Sequence, residues 1–339
     1  MLTLLKKYWL FIVLAFIATV LGVLWANKPS EEEIREAQKP PLVQRPKPTL
    51  PGQPINPRTQ ITFNAKVKEI SAPILSPTKG SPLNKDEAAA IAQTLGFTIK
   101  PTISRGGQDE VHSWTEKENF LTVSLETSTV LFGKDILISP SPEAGEFPSK
   151  EAAGSQLTSL LQRAGLTLPQ TDVVEKSRYI SFSGPIPQDA EKEDSTLFEL
   201  TYSPSFGGVP IVNYDPEMVL VRIWLERGGS IARFEWQNPI DSLTIGQEQT
   251  LKTQEAMVAT LSAEGRIALV GSGGPTTPPA EGLASINVKN VTPGYLLLDQ
   301  GDAVEPIFIL RGESKDVASQ TNPVWIYILA TKEEFFSSP

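Results

Sequence analysis

Hydrophobic and polar positions divide this chain into three zones. In residues 8–26 apolar residues run without a charge for nineteen positions. A helix of that length rises roughly 28 Å, close to the hydrocarbon thickness of a bilayer. Trp9 and Trp25 sit near its two ends, where amphipathic rings favour the headgroup level. The pattern predicts one membrane-spanning helix. Lys6, Lys7 and the terminal amine precede it, and Glu31, Glu32, Glu33 and Glu36 follow it. The basic bias places residues 1–7 in the cytoplasm and the rest outside. The run is longer than the apolar region of a signal peptide, and Leu24-Trp25-Ala26 lacks a small-x-small cleavage site.

Residues 27–60 carry Pro29, Pro40, Pro41, Pro46, Pro48, Pro51, Pro54 and Pro57. Each lacks an amide hydrogen, so the stretch reads as a Pro-rich extracytoplasmic linker. From residue 61 the pattern becomes that of a folded body. Ile61, Phe63, Ala65 and Val67 alternate with polar residues, as a half-buried strand does. Asn84 and Glu87 have capping-box spacing and open a helix over 88–95, stopped by Gly96. Residues 120–125 alternate again. Ser149 starts a second helix, with Leu157, Leu160, Leu161 and Ala164 on one face and Gly165 at its end. Strands are predicted over 173–182 and 197–202. Residues 218–225 and 231–236 flank Gly228-Gly229 as a hairpin. A third helix covers 251–261, and four apolar runs between 286 and 329 complete a strand-rich end.

All three helices open with a capping residue, then an acid, then alanine. Strands follow each one. The expected fold is α+β: repeated modules of one helix packed on a small antiparallel sheet, after a single transmembrane helix. The expected domains are residues 61–190 and 191–339.

Gln254-Glu255-Ala256, the Gly228-Gly229 turn and Pro323-Val324-Trp325 resemble the PepSY-like modules of YycH/YycI-type membrane-anchored regulatory proteins. Residues 304–309 resemble a second closing strand. The likeness covers mainly residues 197–330. It implies action by protein contact, with a sensor or another envelope protein as partner and no catalytic residues.

The 339 residues carry a net charge of −9, no Cys and one His. An acidic surface of this kind disfavours nucleic acid. Without Cys there are no disulfides, thiol nucleophiles or cysteine metal sites, and one His excludes the multi-His zinc sites. No cofactor and no metal is expected. His112 reads as a solvated loop residue beside Gly106-Gly107. No P-loop, Rossmann or G-x-S-x-G pattern is present. Acid pairs suited to glycoside hydrolysis are Asp215 with Glu217 and Asp299 with Asp302, all in turn-like segments. Trp114, in a polar segment, and Phe206, on a Gly/Pro loop, are the candidate protein contacts.

The expectation is therefore a single-pass membrane protein whose extracytoplasmic body is a non-enzymatic protein-interaction or regulatory module. Its partners would be another membrane or envelope protein and, through residues 8–26, the bilayer. Two alternatives stand beside it: a carboxylate-dependent cell-wall or glycan hydrolase, and a structural envelope domain.

Overall fold

Apolar residues alternating at a period of two dominate the body, and strands dominate its structure. The computed structural model describes residues 45–67, 71–107, 109–134, 145–168, 172–182, 187–270, 282–298, 303–316 and 319–336. The chain opens with β1 (Gln53–Pro54), β2 (Gln60–Phe63), β3 (Ser71–Lys79) and α1 (Lys85–Thr94). Four strands follow, β4 (Thr102–Gly106), β5 (Asp109–Glu116), β6 (Asn119–Ser124) and β7 (Thr129–Lys134), and then α2 (Lys150–Ala164). Next come β8 (Asp172–Phe182), β9 (Pro187–Asp189), β10 (Leu197–Phe206), β11 (Val209–Val212), β12 (Val221–Leu225), β13 (Ile231–Gln237) and β14 (Ile240–Thr250). Helix α3 (Gln254–Glu264) precedes β15 (Arg266–Val270), β16 (Leu283–Leu298), β17 (Ala303–Asp316) and β18 (Thr321–Leu329).

Nine strands form an antiparallel array in the order β9-β8-β10-β12-β13-β7-β6-β5-β4. The other nine centre on β16, β17 and β18, with β15 and β1 beyond β18. The far side of β16 pairs in parallel with β2 and with β11. Strand β11 also pairs with β10, which ties the two halves into one mixed sheet.

Local signals place the helices. Asn84 Oδ1 accepts from the amides of Asp86 (2.9 Å) and Glu87 (3.0 Å), and Glu87 Oε2 accepts from the Asn84 amide (2.7 Å). Ser149 and Thr253 cap α2 and α3. Gly165, at φ +69°, ends α2 in a left-handed cap open to glycine. Ala88, Ile91, Leu157, Leu160 and Leu161 from α1 and α2 share one core with Trp114, Leu121, Leu200, Ile223 and Phe234. A second core gathers Met257 and Leu261 of α3 with Ile286, Phe308, Leu310 and Ile326.

Contacts divide the chain into residues 48–333 and a small unit made of its two ends. In the described part of that small unit, Arg45 bridges Phe336, and its guanidinium lies 5.8 Å from the Phe336 ring centroid.

Two expectations are corrected here. The fold is mostly β, an eighteen-strand mixed sheet with three helices among the described residues, rather than repeated helix-on-small-sheet modules. The three helix openings are alike because capping needs the same residue types each time. Strands from distant parts of the chain then pair, as β7 does with β13, and merge what local reading divides into small sheets. The predicted span over 8–26 lies outside the described residues. No described helix is long and apolar enough to cross a membrane, the three being 10, 15 and 11 residues long with polar faces. The single-pass membrane topology, and the cell-membrane localisation drawn from it, give way to a large β-sheet body.

Candidate functional site

Helix α2 carries two adjacent stripes. Ala153, Leu157, Leu160, Leu161 and Ala164 are buried against the sheet. Beside them, at spacings of three and four, run Glu151, Gly154, Ser155, Thr158 and Ser159. The hydroxyls of Ser155, Thr158 and Ser159 each donate, at 2.9 Å, to the carbonyl one turn back. Their lone pairs stay available to a ligand. This second stripe forms one wall of a groove of about 610 Å³ whose remaining lining is Lys150, Glu175 and Tyr202.

The floor is built by strand register. Glu175 on β8 stands directly opposite Tyr202 on β10. The Tyr202 hydroxyl donates to Glu175 Oε2 (2.9 Å), and Lys150 Nζ lies 2.8 Å from Oε1. A Cβ added at Gly154 would meet the Tyr202 hydroxyl at 3.6 Å, an ordinary contact, so helix and floor approach closely there.

Away from β10, the strand that supplies Glu175 presents an edge. The Tyr179 carbonyl accepts from the Ala190 amide, toward β9, whereas the Ile180 carbonyl accepts from the Thr196 amide, toward β10, both at 3.0 Å. Alternation along an antiparallel strand then turns the amides and carbonyls of Val173, Glu175 and Ser177 away from β10. The Lys176 carbonyl agrees, accepting from Thr201 Oγ1 (3.4 Å) on the β10 side. Strand β9 covers β8 only from Ile180 onward. Among the described residues no strand pairs with the earlier part of this edge, and residues 174–178 are exposed.

The electrostatics suit binding better than proton transfer. The Lys150 ammonium, and then the Tyr202 hydroxyl, hold Glu175 below the usual carboxylate range against the opposing effect of burial. Glu151 is lowered by its own amide and by the Ser149 hydroxyl. Burial, then Glu175, pushes the Tyr202 phenol up to about 12. The groove thus presents ionised carboxylates and a protonated phenol at neutral pH, with no carboxyl poised as an acid.

Trp114 lies in the core, 3 % exposed, with its ring centroid 5.9 Å from that of His112. His112 is buried too, in the middle of β5, with Nε2 2.8 Å from Glu110 Oε1. Glu110 also binds Lys85 and Arg105, each at 2.9 Å. His112, followed by Lys85 and Arg105, lowers the Glu110 carboxyl to about 2. Phe206 is half-buried, edge-on to Tyr295 at 6.0 Å between ring centroids. Both predicted contact residues pack into the first core.

Asp215 and Glu217 shape a turn. Asn213 Oδ1 accepts from the Asp215 amide (2.7 Å), and Asp215 Oδ1 accepts from the Glu217 amide (2.9 Å). Asp299 and Asp302 lie outside the described residues. Among the described residues no group of three or more His, Cys, Asp or Glu is placed to hold a metal. The expected function is corrected accordingly. The described body shows neither a membrane anchor nor a hydrolytic carboxylate site.

Sequence reading passed over the groove. Its one local signal was the row of glycine and hydroxyl residues beside the apolar stripe of α2. The open edge of β8 had none, because it depends on where β9 stops.

No protein-family model matches the chain. No curated protein matches it either. Among solved structures it is similar to an uncharacterized protein from Eubacterium rectale ATCC 33656, at 11 % identity over 86 % of this chain and 94 % of that one, with a TM-score of 0.47.

Proposed function

We propose that this protein is a non-catalytic binding domain that captures an extended segment of another protein by strand addition to β8, beneath α2. The observation that carries the reading is the outward-facing backbone of Val173, Glu175 and Ser177, on the strand whose Glu175 lines the groove. A segment laid there continues the antiparallel array and gains main-chain hydrogen bonds. Its side chains opposite Glu175 and Ser177 point between the strand and the hydroxyl stripe of α2, which sets specificity. The groove lies within the volume range of ordinary ligand sites.

The test uses a displayed library of random twelve-residue peptides, selected on the full-length protein. Ser177→Pro removes one outward amide and leaves the β10 ladder intact, a placement edge strands tolerate. Gly154→Arg fills the groove. Peptides enriched on the wild type are expected to lose about tenfold or more in affinity on each variant. Circular dichroism should stay unchanged. Failure to enrich any peptide, or equal binding to Ser177→Pro, refutes the proposal.

A further inference from the structure

At the opposite end of the nine-strand array lies β4, and all five of its residues are exposed. The Glu110 carbonyl accepts from the Leu125 amide (3.1 Å), away from β4. Alternation then turns Asp109 and Val111 toward β4, and with them their partners Gly106 and Ser104. The backbone groups of Ile103 and Arg105 consequently face outward. Ile103 stands mid-edge and is 51 % exposed. Natural edge strands are commonly blunted by charge, proline or bulges. Here Pro101 and Arg105 flank the edge, and its centre is an unguarded β-branched residue.

We propose that β4 pairs with β4 of a second copy of this chain, antiparallel, about a two-fold axis through Ile103. Ile103 exchanges both backbone hydrogen bonds with the partner's Ile103. The Arg105 amide donates to the carbonyl of the partner's Pro101, and the axis repeats that bond. Proline has no amide hydrogen, so the ladder stops there and the contact is short. On one face the two Ile103 side chains meet. On the other, Thr102 meets the partner's Ser104, hydroxyl to hydroxyl.

Charge disfavours the neighbouring register nearer the turn. A shift of two residues toward the turn would make the two Arg105 side chains diagonal neighbours, a like-charge contact. In the Ile103-centred register each Arg105 faces a proline and stays tied to Glu110 of its own chain at 2.9 Å. The edge is therefore self-complementary, as a two-fold contact requires. The contact is also small for a stable interface, so the association is weak.

The absence of native Cys makes the test clean. In the full-length chain, Ser104→Cys carries a pyrene label, and the two labels would sit roughly 8 Å apart across the axis. Excimer emission should rise with protein concentration. The same label at Val258→Cys, on exposed α3, should give none. Ile103→Lys sets two ammonium groups face to face and should weaken association at least tenfold by sedimentation equilibrium, with unchanged circular dichroism. Three results overturn the proposal: no excimer at Ser104 up to millimolar protein, equal excimer at Val258, or Ile103→Lys associating as the wild type does.

Discussion

Replacing Glu199 by Gln tests how the array's helix-free face is held. Glu199, an acidic side chain on β10, is 4 % exposed. Its Oε1 accepts from Arg178 Nε (2.6 Å), and its Oε2 accepts from Trp224 Nε1 (2.7 Å). Arg222 Nε lies 3.3 Å away. The ladder runs on from Arg222 to Glu235 (2.7 Å) and from Glu235 to Arg233 (2.5 Å), whose guanidinium lies 4.9 Å from the Trp224 ring centroid. A glutamine in its place would keep one acceptor and turn an amide donor toward a second donor. A hydrogen bond to a charged group contributes about 1.5–3 kcal/mol. The Arg178 share is discounted, because that side chain is 42 % exposed and water can take over. The Trp224 N–H is buried and has no such recourse, so the expected loss is about 3 kcal/mol. Urea unfolding followed by tryptophan fluorescence should show a lower midpoint at constant m. Trp224→Phe alone should cost about 1–2 kcal/mol, and the two changes should couple by at least about 1 kcal/mol in a double-mutant cycle. A Glu199→Gln protein within about 0.5 kcal/mol of the wild type refutes the reasoning, because surface substitutions already scatter that much.

Other outcomes follow from single sites. Glu110 has a folded-state pKa of about 2 against an ordinary 4.5, so its stabilising contribution is complete above 4.5 and disappears as pH falls toward 2. Glu110→Gln should flatten that part of the acid limb in urea midpoints measured from pH 6 to pH 2. A wild-type limb unchanged by the substitution would remove the Lys85–Arg105–His112 cluster from the account. Gly312→Ala would place a Cβ 2.1 Å from the Asn287 carbonyl oxygen on the paired strand β16. Backbone cannot yield as a side chain does, and a loss above about 2 kcal/mol is expected by thermal unfolding. Gly154→Ala meets only the Tyr202 hydroxyl, at 3.6 Å, and should stabilise α2 by about 0.5–1 kcal/mol in the same assay.

What the sequence determined by itself was local. The Asn84–Glu87 box, the Ser149 start and Gly165 stop of α2, and the Gly228-Gly229 hairpin all formed where their residues stand. Caps, left-handed glycines and alternation act over a few residues, so a reader of the chain sees them directly. Tertiary structure decided which strands pair. Strand β11 joins β16 in parallel across more than eighty positions, and β7 meets β13 across a hundred. No local pattern distinguishes those partners from others of equal hydrophobicity. His112 and Trp114 looked exposed among Asp109, Glu110 and Glu116, yet the pleat of β5 turns both toward α1 and the first core. The candidate groove belongs to this second class. Its hydroxyl stripe is written in α2, but the β8 edge beside it is unpaired among the described residues only because β9 ends early, an arrangement that depends on the placement of whole strands.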